Sequence, residues 1–402
     1  MWSDSPIDEN RSVLARLWRK RLYRPEALGL MVKDLLRFRG PVHENQVHLV
    51  EAAEWLLRAH RATPDGGVSG GYSFEDGWIA SYPETTGYII PTLIDYAEFS
   101  RNPVYHEAAL QMSEWELSCQ LESGAFPGHF VDRDNPPVVF NTGQVIFGLL
   151  AAYQVTSDIR FMAAAQRAGR WLAQIQDVDG AFRQFDYCGE VHSYNTRTAW
   201  AMAELGLATN DDIMLKASSR HLDWAASEQL ENGWFRFASF SSNQDPFLHT
   251  IAYAAQGLFE AGVSLGQQDY INAALQTARA VAAKVRKDGS IAGTFNQSWN
   301  STVRYSCLTG NAQMAILWFR AYQVAGDSGL RDCAHRALRF LKSVQDCVTP
   351  NLKIRGAIKG SYPISGRYLF GTFPNWATKF FMDALMLEES VSRGLPTKVR
   401  CW

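Results

Sequence analysis

One short pattern recurs along the chain and limits what it can become. A Gln, a Gly four residues later and an aromatic two beyond that occur as Gln120-Leu-Glu-Ser-Gly-Ala-Phe126, Gln176-Asp-Val-Asp-Gly-Ala-Phe182 and Gln229-Leu-Glu-Asn-Gly-Trp-Phe235. Weaker relatives are Lys284-Val-Arg-Lys-Asp-Gly289 and Gln345-Asp-Cys347, and Asp65-Gly-Gly67 opens the series. Each copy ends a long amphipathic segment and precedes a polar-led, strongly apolar one. The glycine is expected to take a left-handed backbone that stops the first helix, with the aromatic ring folded back over the turn.

The amphipathic segments predict outer helices over 47–61, 103–119, 159–176, 212–229, 268–286 and 328–345. Each carries one apolar stripe, such as Ala164, Ala168, Trp171 and Leu172 in the third. Their partners begin at Pro83, Asn141, Asn195, His249, Thr309 and Asn375, spaced by 58, 54, 54, 60 and 66 residues. These partners are apolar on nearly every face, as in Val145–Ala152 and Ala312–Phe319, so they must be buried between an outer helix and two like neighbours. Six such pairs closing on themselves make an all-α (α/α)6 toroid over residues 43–402, with residues 1–42 as an N-terminal helical extension. An open solenoid obeys the same pair logic, so closure follows here from the count of six. Pro91 interrupts the first inner helix and is expected to kink it.

Composition narrows the class. Apolar residues are 47% and charged residues 20%, enough for a large core and too ordered a mixture for a disordered chain. A net charge of −2 argues against a nucleic-acid partner. Six cysteines stand apart with no C-x-x-C pair, the N-terminus is acidic rather than signal-like, and no run approaches a membrane span. These features read as cytoplasmic. Residues 11–39 nevertheless hold nine basic residues against Glu26 and Asp34. Leu14, Leu17, Trp18 and Leu22 interleave at helical spacing, so this segment could rest on an anionic membrane or pack on the domain with a solvated basic face.

The Gln motif resembles the QW repeat of squalene cyclases and the prenyltransferase superfamily, most closely in Arg170-Trp-Leu-Ala-Gln-Ile-Gln-Asp-Val-Asp-Gly-Ala-Phe182. The resemblance implies the toroid fold. Its chemistry transfers less well: the acidic D-x-D-D of the cyclases has no counterpart, the nearest string being Asp132-Arg-Asp-Asn135. Prenyltransferases hold zinc with a D-x-C pair and a distant His, which Asp186, Cys188 and His249 match in outline. No metal or cofactor is nevertheless predicted. The chain also looks like the toroidal carbohydrate-active enzymes, which include unsaturated glucuronyl hydrolases, sugar epimerases and polysaccharide lyases. In those enzymes the loops at the inner-helix starts form the cleft.

Polar residues gather at those starts, where free N–H groups favour anionic or hydroxyl-rich ligands. Candidates for acid–base work are Glu84, His129, Asp186, His192, Tyr194 and His249. Candidates for binding are Tyr82, Asn141, Gln144, Tyr187, Asn195, Arg197, Arg236, Trp299, Arg304, Arg367, Tyr368, Asn375 and Trp376. Fifty aromatic residues are more than turns require. Phe126, Phe182 and Phe235 would staple turns, while Tyr82, Tyr187, Tyr194, Trp299, Tyr368 and Trp376 would line a cleft. Asn141, Asn195 and Asn375 could equally be plain N-caps. Together the parts suit proton abstraction beside a uronate carboxyl, the step shared by lyases and C5-epimerases, or hydrolysis with Glu84, Asp132 or Asp186. The expectation is an enzyme on a uronic-acid-containing glycan. The alternatives are a terpenoid cyclase or prenyltransferase-like enzyme, and a noncatalytic glycan- or protein-binding toroid.

Overall fold

Six helical hairpins follow one another in the computed structural model, which describes residues 23–132, 135–394 and 399–402. The outer helices are α2 (Asn45–Arg61), α4 (Pro103–Cys119), α6 (Ile159–Ile175), α8 (Asp212–Ser227), α10 (Gln268–Ala282) and α12 (Ser328–Val344). The inner helices are α3 (Pro83–Ser100), α5 (Val139–Thr156), α7 (Thr196–Thr209), α9 (Leu248–Leu265), α11 (Leu308–Ala325) and α13 (Asn375–Ser392). Every outer helix starts and ends within four residues of the expectation, because its single stripe has one way to meet the core. Asn102, Asp158, Asp211 and Asp327 cap outer helices by accepting from first-turn N–H groups. α3 continues through Pro91 as a single helix.

The ring closes. Each inner helix packs against the next, and α13 returns to pack on α3 and α2. Thr92 Oγ1 donates to Asp383 Oδ1 across that seam at 2.8 Å. An open solenoid is thereby excluded.

The Gln motif turns out to be the clamp between successive repeats. Gln176 Nε2 donates to Gly180 O at 3.0 Å and to Ala217 O of the next outer helix at 2.9 Å. Gln120 does the same with Gly124 O and Ala164 O, both at 2.9 Å. Gln345, which keeps little of the motif, reaches Gly356 O at 2.7 Å and His48 O at 3.2 Å, and so locks the last repeat to the first. The glycine's expected role needs correction. Gly124, Gly180 and Gly233 do have φ of +92°, +91° and +82°. They lie in the turn beyond the helix, which has already ended before the Gln. A Cβ on Gly180 would meet the carbonyl of Arg220, so close approach to the next outer helix is what requires glycine. Phe126, Phe182 and Phe235 are buried over these turns.

Short strands that periodicity did not predict tie the mouth loops together. β1 (Gly71–Ser73) pairs antiparallel with β2 (Gly77–Trp78) and with β5 (Thr372–Pro374), setting Tyr72 opposite Phe373. β3 (Ser306–Cys307) pairs with β4 (Ser361–Tyr362). α1 (Pro25–Leu35) docks on the loop before α13, where Asp34 binds Lys359 Nζ at 2.6 Å and the Ile364 N–H at 2.8 Å. The basic and apolar residues read between 11 and 22, among them Arg11, Arg16, Leu14 and Trp18, lie outside the described residues, as does Asp134.

Candidate functional site

All six inner helices present their N-termini to one end of the ring, so the outer-to-inner loops share that end. They enclose a cavity of about 390 Å³, within the range of small-molecule sites. Nine of the predicted site residues line it: Tyr82, Glu84, His129, Tyr187, Tyr194, His249, Arg367, Tyr368 and Trp376.

Glu84 sits in the first turn of α3, with its carboxyl buried between two tyrosines. Tyr82 Oη donates to Glu84 Oε2 at 2.5 Å, and Tyr187 Oη lies 3.1 Å from the same oxygen. The two hydroxyls are 2.7 Å apart, and Tyr187 Oη is 2.8 Å from Asn141 Oδ1. Burial raises the Glu84 pKa from 4.5 to about 7, against the opposing pull of both hydroxyls and of Arg197. The group is therefore shared between acid and carboxylate near neutral pH.

His249, in the first turn of α9, has the opposite character. Its Nδ1 lies 2.9 Å from Gln313 Oε1 on α11, an acceptor, so the ring carries its proton there and leaves the Nε2 lone pair bare. Burial lowers its pKa to about 3, with Arg197 adding to the effect, which keeps the imidazole neutral. Tyr253, one turn further along α9, packs against it with ring centroids 4.3 Å apart.

Behind the wall lies a second layer. Asp186 and His192 are buried and do not line the cavity. Asp186 Oδ2 accepts from Asn195 Nδ2 at 2.6 Å and lies 3.1 Å from His192 Nδ1. His192 stacks on Tyr194 with ring centroids 4.5 Å apart. Among the described residues, the buried Tyr194 Oη has no protein hydrogen-bond partner. Arg197 is fully buried beneath the cavity, held by Gln144 Oε1 and Gln256 Oε1, each at 2.9 Å. Its guanidinium lies 5.0 Å from the Tyr253 ring, and burial lowers its pKa.

The remaining candidates stand elsewhere. Asn141 donates to Pro127 O at 3.2 Å, and Asn375 donates to Ser69 O at 2.9 Å and Thr85 Oγ1 at 2.8 Å. Neither makes an N-cap bond, and Asn195 makes none either. Thr86, Thr142, Asn311 and Thr378 accept the N–H groups of Val68, Phe126, Ile291 and Ile358. Much of the polarity at the inner-helix starts thus holds the preceding loop. Trp299 is buried and donates to Asn232 O at 2.9 Å. Arg236 faces Glu228 at 3.5 Å, and neither it nor Arg304 lines the cavity. Asp186 is already engaged, Cys188 is exposed, and among the described residues no three His, Cys, Asp or Glu side chains gather as a metal set.

Sequence reasoning missed Phe130, Phe140, Phe240, Gln244, Asp245, Phe247, Tyr253, Thr294, Thr302, Val303, Tyr305 and Leu369 on the wall. Tyr253 carried a usable signal, lying four residues beyond His249 on one helix face. The loop residues carried none, since their placement depends on how the loops fold over one another.

No family model matches the chain, and no curated protein matches it. Solved structures do. An unsaturated glucuronyl hydrolase specific for heparin is 15% identical with a TM-score of 0.70, covering 86% of this chain and 97% of its own. Cellobiose 2-epimerase from Bacillus thermoamylovorans is 12% identical with a TM-score of 0.66, covering 89% and 98%. A polysaccharide lyase is 14% identical with a TM-score of 0.59, covering 79% and 93%. The chain has the α/α-toroid fold. At these identities the likeness speaks to the fold alone, and the chemistry must come from the cavity.

Proposed function

We propose that the toroid, residues 43–402, is a carbohydrate-active enzyme that works on a uronic-acid-containing glycan held in the cavity, by proton transfer at the carbon beside the uronate carboxyl. The observation that carries this reading is that one cavity is lined both by His249, whose Nδ1 is held by Gln313, and by the Glu84 carboxyl set between the Tyr82 and Tyr187 hydroxyls. His249 Nε2 takes the proton from carbon. Glu84, in its protonated form and backed by Tyr82 and Tyr187, returns one. Delivered to the opposite face of the same carbon, that proton inverts the sugar. Delivered to the leaving glycosidic oxygen, it completes elimination and leaves a double bond. In this reading Arg367 offsets the uronate charge, and Tyr194, Tyr368 and Trp376, which line the same cavity, pack against the sugar. The solved structures of like fold are named for a glucuronyl hydrolase, a cellobiose epimerase and a polysaccharide lyase, names that share a carbohydrate substrate and so agree with a glycan in the cavity.

Hydrolysis is the second reading, favoured by a second carboxylate, Asp245, on the same wall. The cyclase and prenyltransferase alternative has less support. Its motif is accounted for by the clamp between repeats, and the wall carries Glu84, Asp245, His249 and Arg367. Incubation with uronate oligosaccharides in heavy water tests the reading and sorts its branches. A new ultraviolet-absorbing double bond marks a lyase, deuterium uptake without cleavage an epimerase, and added water a hydrolase. No change across a broad panel overturns it in favour of a binding toroid.

A further inference from the structure

α1 presents two unlike faces. Ala27, Met31 and Asp34 point inward, and Asp34 fixes the helix to the loop before α13 through Lys359 and Ile364. Leu28, Val32, Leu35 and Leu36, spaced at i, i+4, i+7 and i+8, form a second stripe that faces outward. Leu35 is 61% and Leu36 64% exposed, and Phe38 just beyond the helix is 67% exposed. Single exposed apolar residues are ordinary, but a continuous aliphatic stripe on one short helix marks a contact surface.

The surrounding charge says what the contact is. Arg24, Lys33 and Arg37 are exposed around the stripe against a single exposed acid, Glu26. In the sequence ahead of the helix, residues 11–22 hold five further basic residues and no acid. A second copy of the chain would bring two such basic sets together, which repel. An anionic lipid surface complements them and accepts the aliphatic stripe. Eleven residues rise about 17 Å, too little for the roughly 30 Å hydrocarbon layer, so the helix lies along the surface. Among the described residues no helix is long and apolar enough to cross a membrane.

We propose that α1 is a peripheral docking helix for an anionic membrane surface. The loop to which Asp34 anchors it also carries Arg367, Tyr368 and Leu369 to the cavity, so docking sets the mouth end of the toroid at the bilayer. Taken with the proposed function, this makes the substrate a glycan carried at that surface, although the docking itself stands apart from the reaction.

The test is co-sedimentation of the full chain with phosphatidylcholine vesicles, with and without about one third phosphatidylglycerol. The wild-type protein should bind only the anionic vesicles and come off as salt is raised. Leu35→Glu with Leu36→Glu should weaken that binding at least about tenfold, as should Lys33→Glu with Arg37→Glu. Because all four side chains are exposed, the melting temperature should not move, which separates lost docking from lost folding. Absence of binding to either vesicle overturns the proposal and points to residues 1–22 as the cover of the stripe. A wild-type dimer that the double leucine variant splits overturns it in favour of a second copy. Equal binding by wild type and variants overturns it as well. None of these readouts depends on any glycan reaction.

Discussion

Replacing Glu84 by Gln should change how stability depends on pH, by an amount that follows from burial. Folding moves the carboxyl from water into the tyrosine-lined wall and raises its pKa from 4.5 to about 7. The folded state therefore binds this proton more tightly than the unfolded state. Below about pH 4.5 both states are protonated and the contribution is fully present. It is lost as pH rises through the window between 4.5 and 7, and above that the loss is complete. At about 1.4 kcal/mol per pH unit, a shift of this size amounts to about 3 kcal/mol. The Gln side chain keeps an acceptor for Tyr82 and cannot ionise. Relative to wild type, the Glu84→Gln protein should thus gain about 3 kcal/mol between about pH 4 and pH 8. Urea unfolding at a series of pH values, followed by tryptophan fluorescence, measures the difference. Other buried acids, such as Asp95, cancel in the comparison because both proteins share them. A difference that stays flat across the window, or falls as pH rises, refutes the claim that Glu84 is a buried carboxyl protonated near neutrality.

The same variant should lose about 10² to 10⁴ in kcat on the active uronate substrate, and wild-type kcat/KM should decline above about pH 7 as Glu84 loses its proton. His249→Gln should cost a similar factor in kcat while circular dichroism stays unchanged. In wild type the acid limb should show no titration near pH 6.5, because the His249 pKa is about 3. Asp245→Asn separates the two readings of the reaction: proton abstraction predicts less than about a tenfold change, whereas a two-carboxylate hydrolysis predicts loss comparable to Glu84→Gln. Gln176→Ala should lower stability by about 2 kcal/mol in a thermal or urea scan, since it strips the Gly180 and Ala217 carbonyls of one donor. Gly180→Ala should cost at least as much, because φ is +91° and the added Cβ meets the Arg220 carbonyl.

The helical hairpins were legible because burial imposes a period on sequence. An outer helix must be apolar on one stripe and an inner helix on nearly all of its surface, so both can be counted along the chain. The six-fold repeat, the helix limits and the end of the ring that gathers polar residues all follow from that. Glu84 and His249 could be picked out as candidates because they stand in first turns of inner helices, where direction is already known. What the chain order alone could not decide is which polar side chains face the cavity and which face the neighbouring loop. Asn141, Asn195 and Asn375 share that position with Glu84, yet they hold Pro127, Asp186 and Ser69. The same limit applies to Trp299, turned onto Asn232, and to Asp186 and His192, which lie one layer behind Tyr194. The tertiary structure alone also set the chemistry of the two central groups. A carboxyl raised to about 7 and an imidazole lowered to about 3 owe those values chiefly to burial among residues far apart in the chain, a quantity that exists only once the ring has closed.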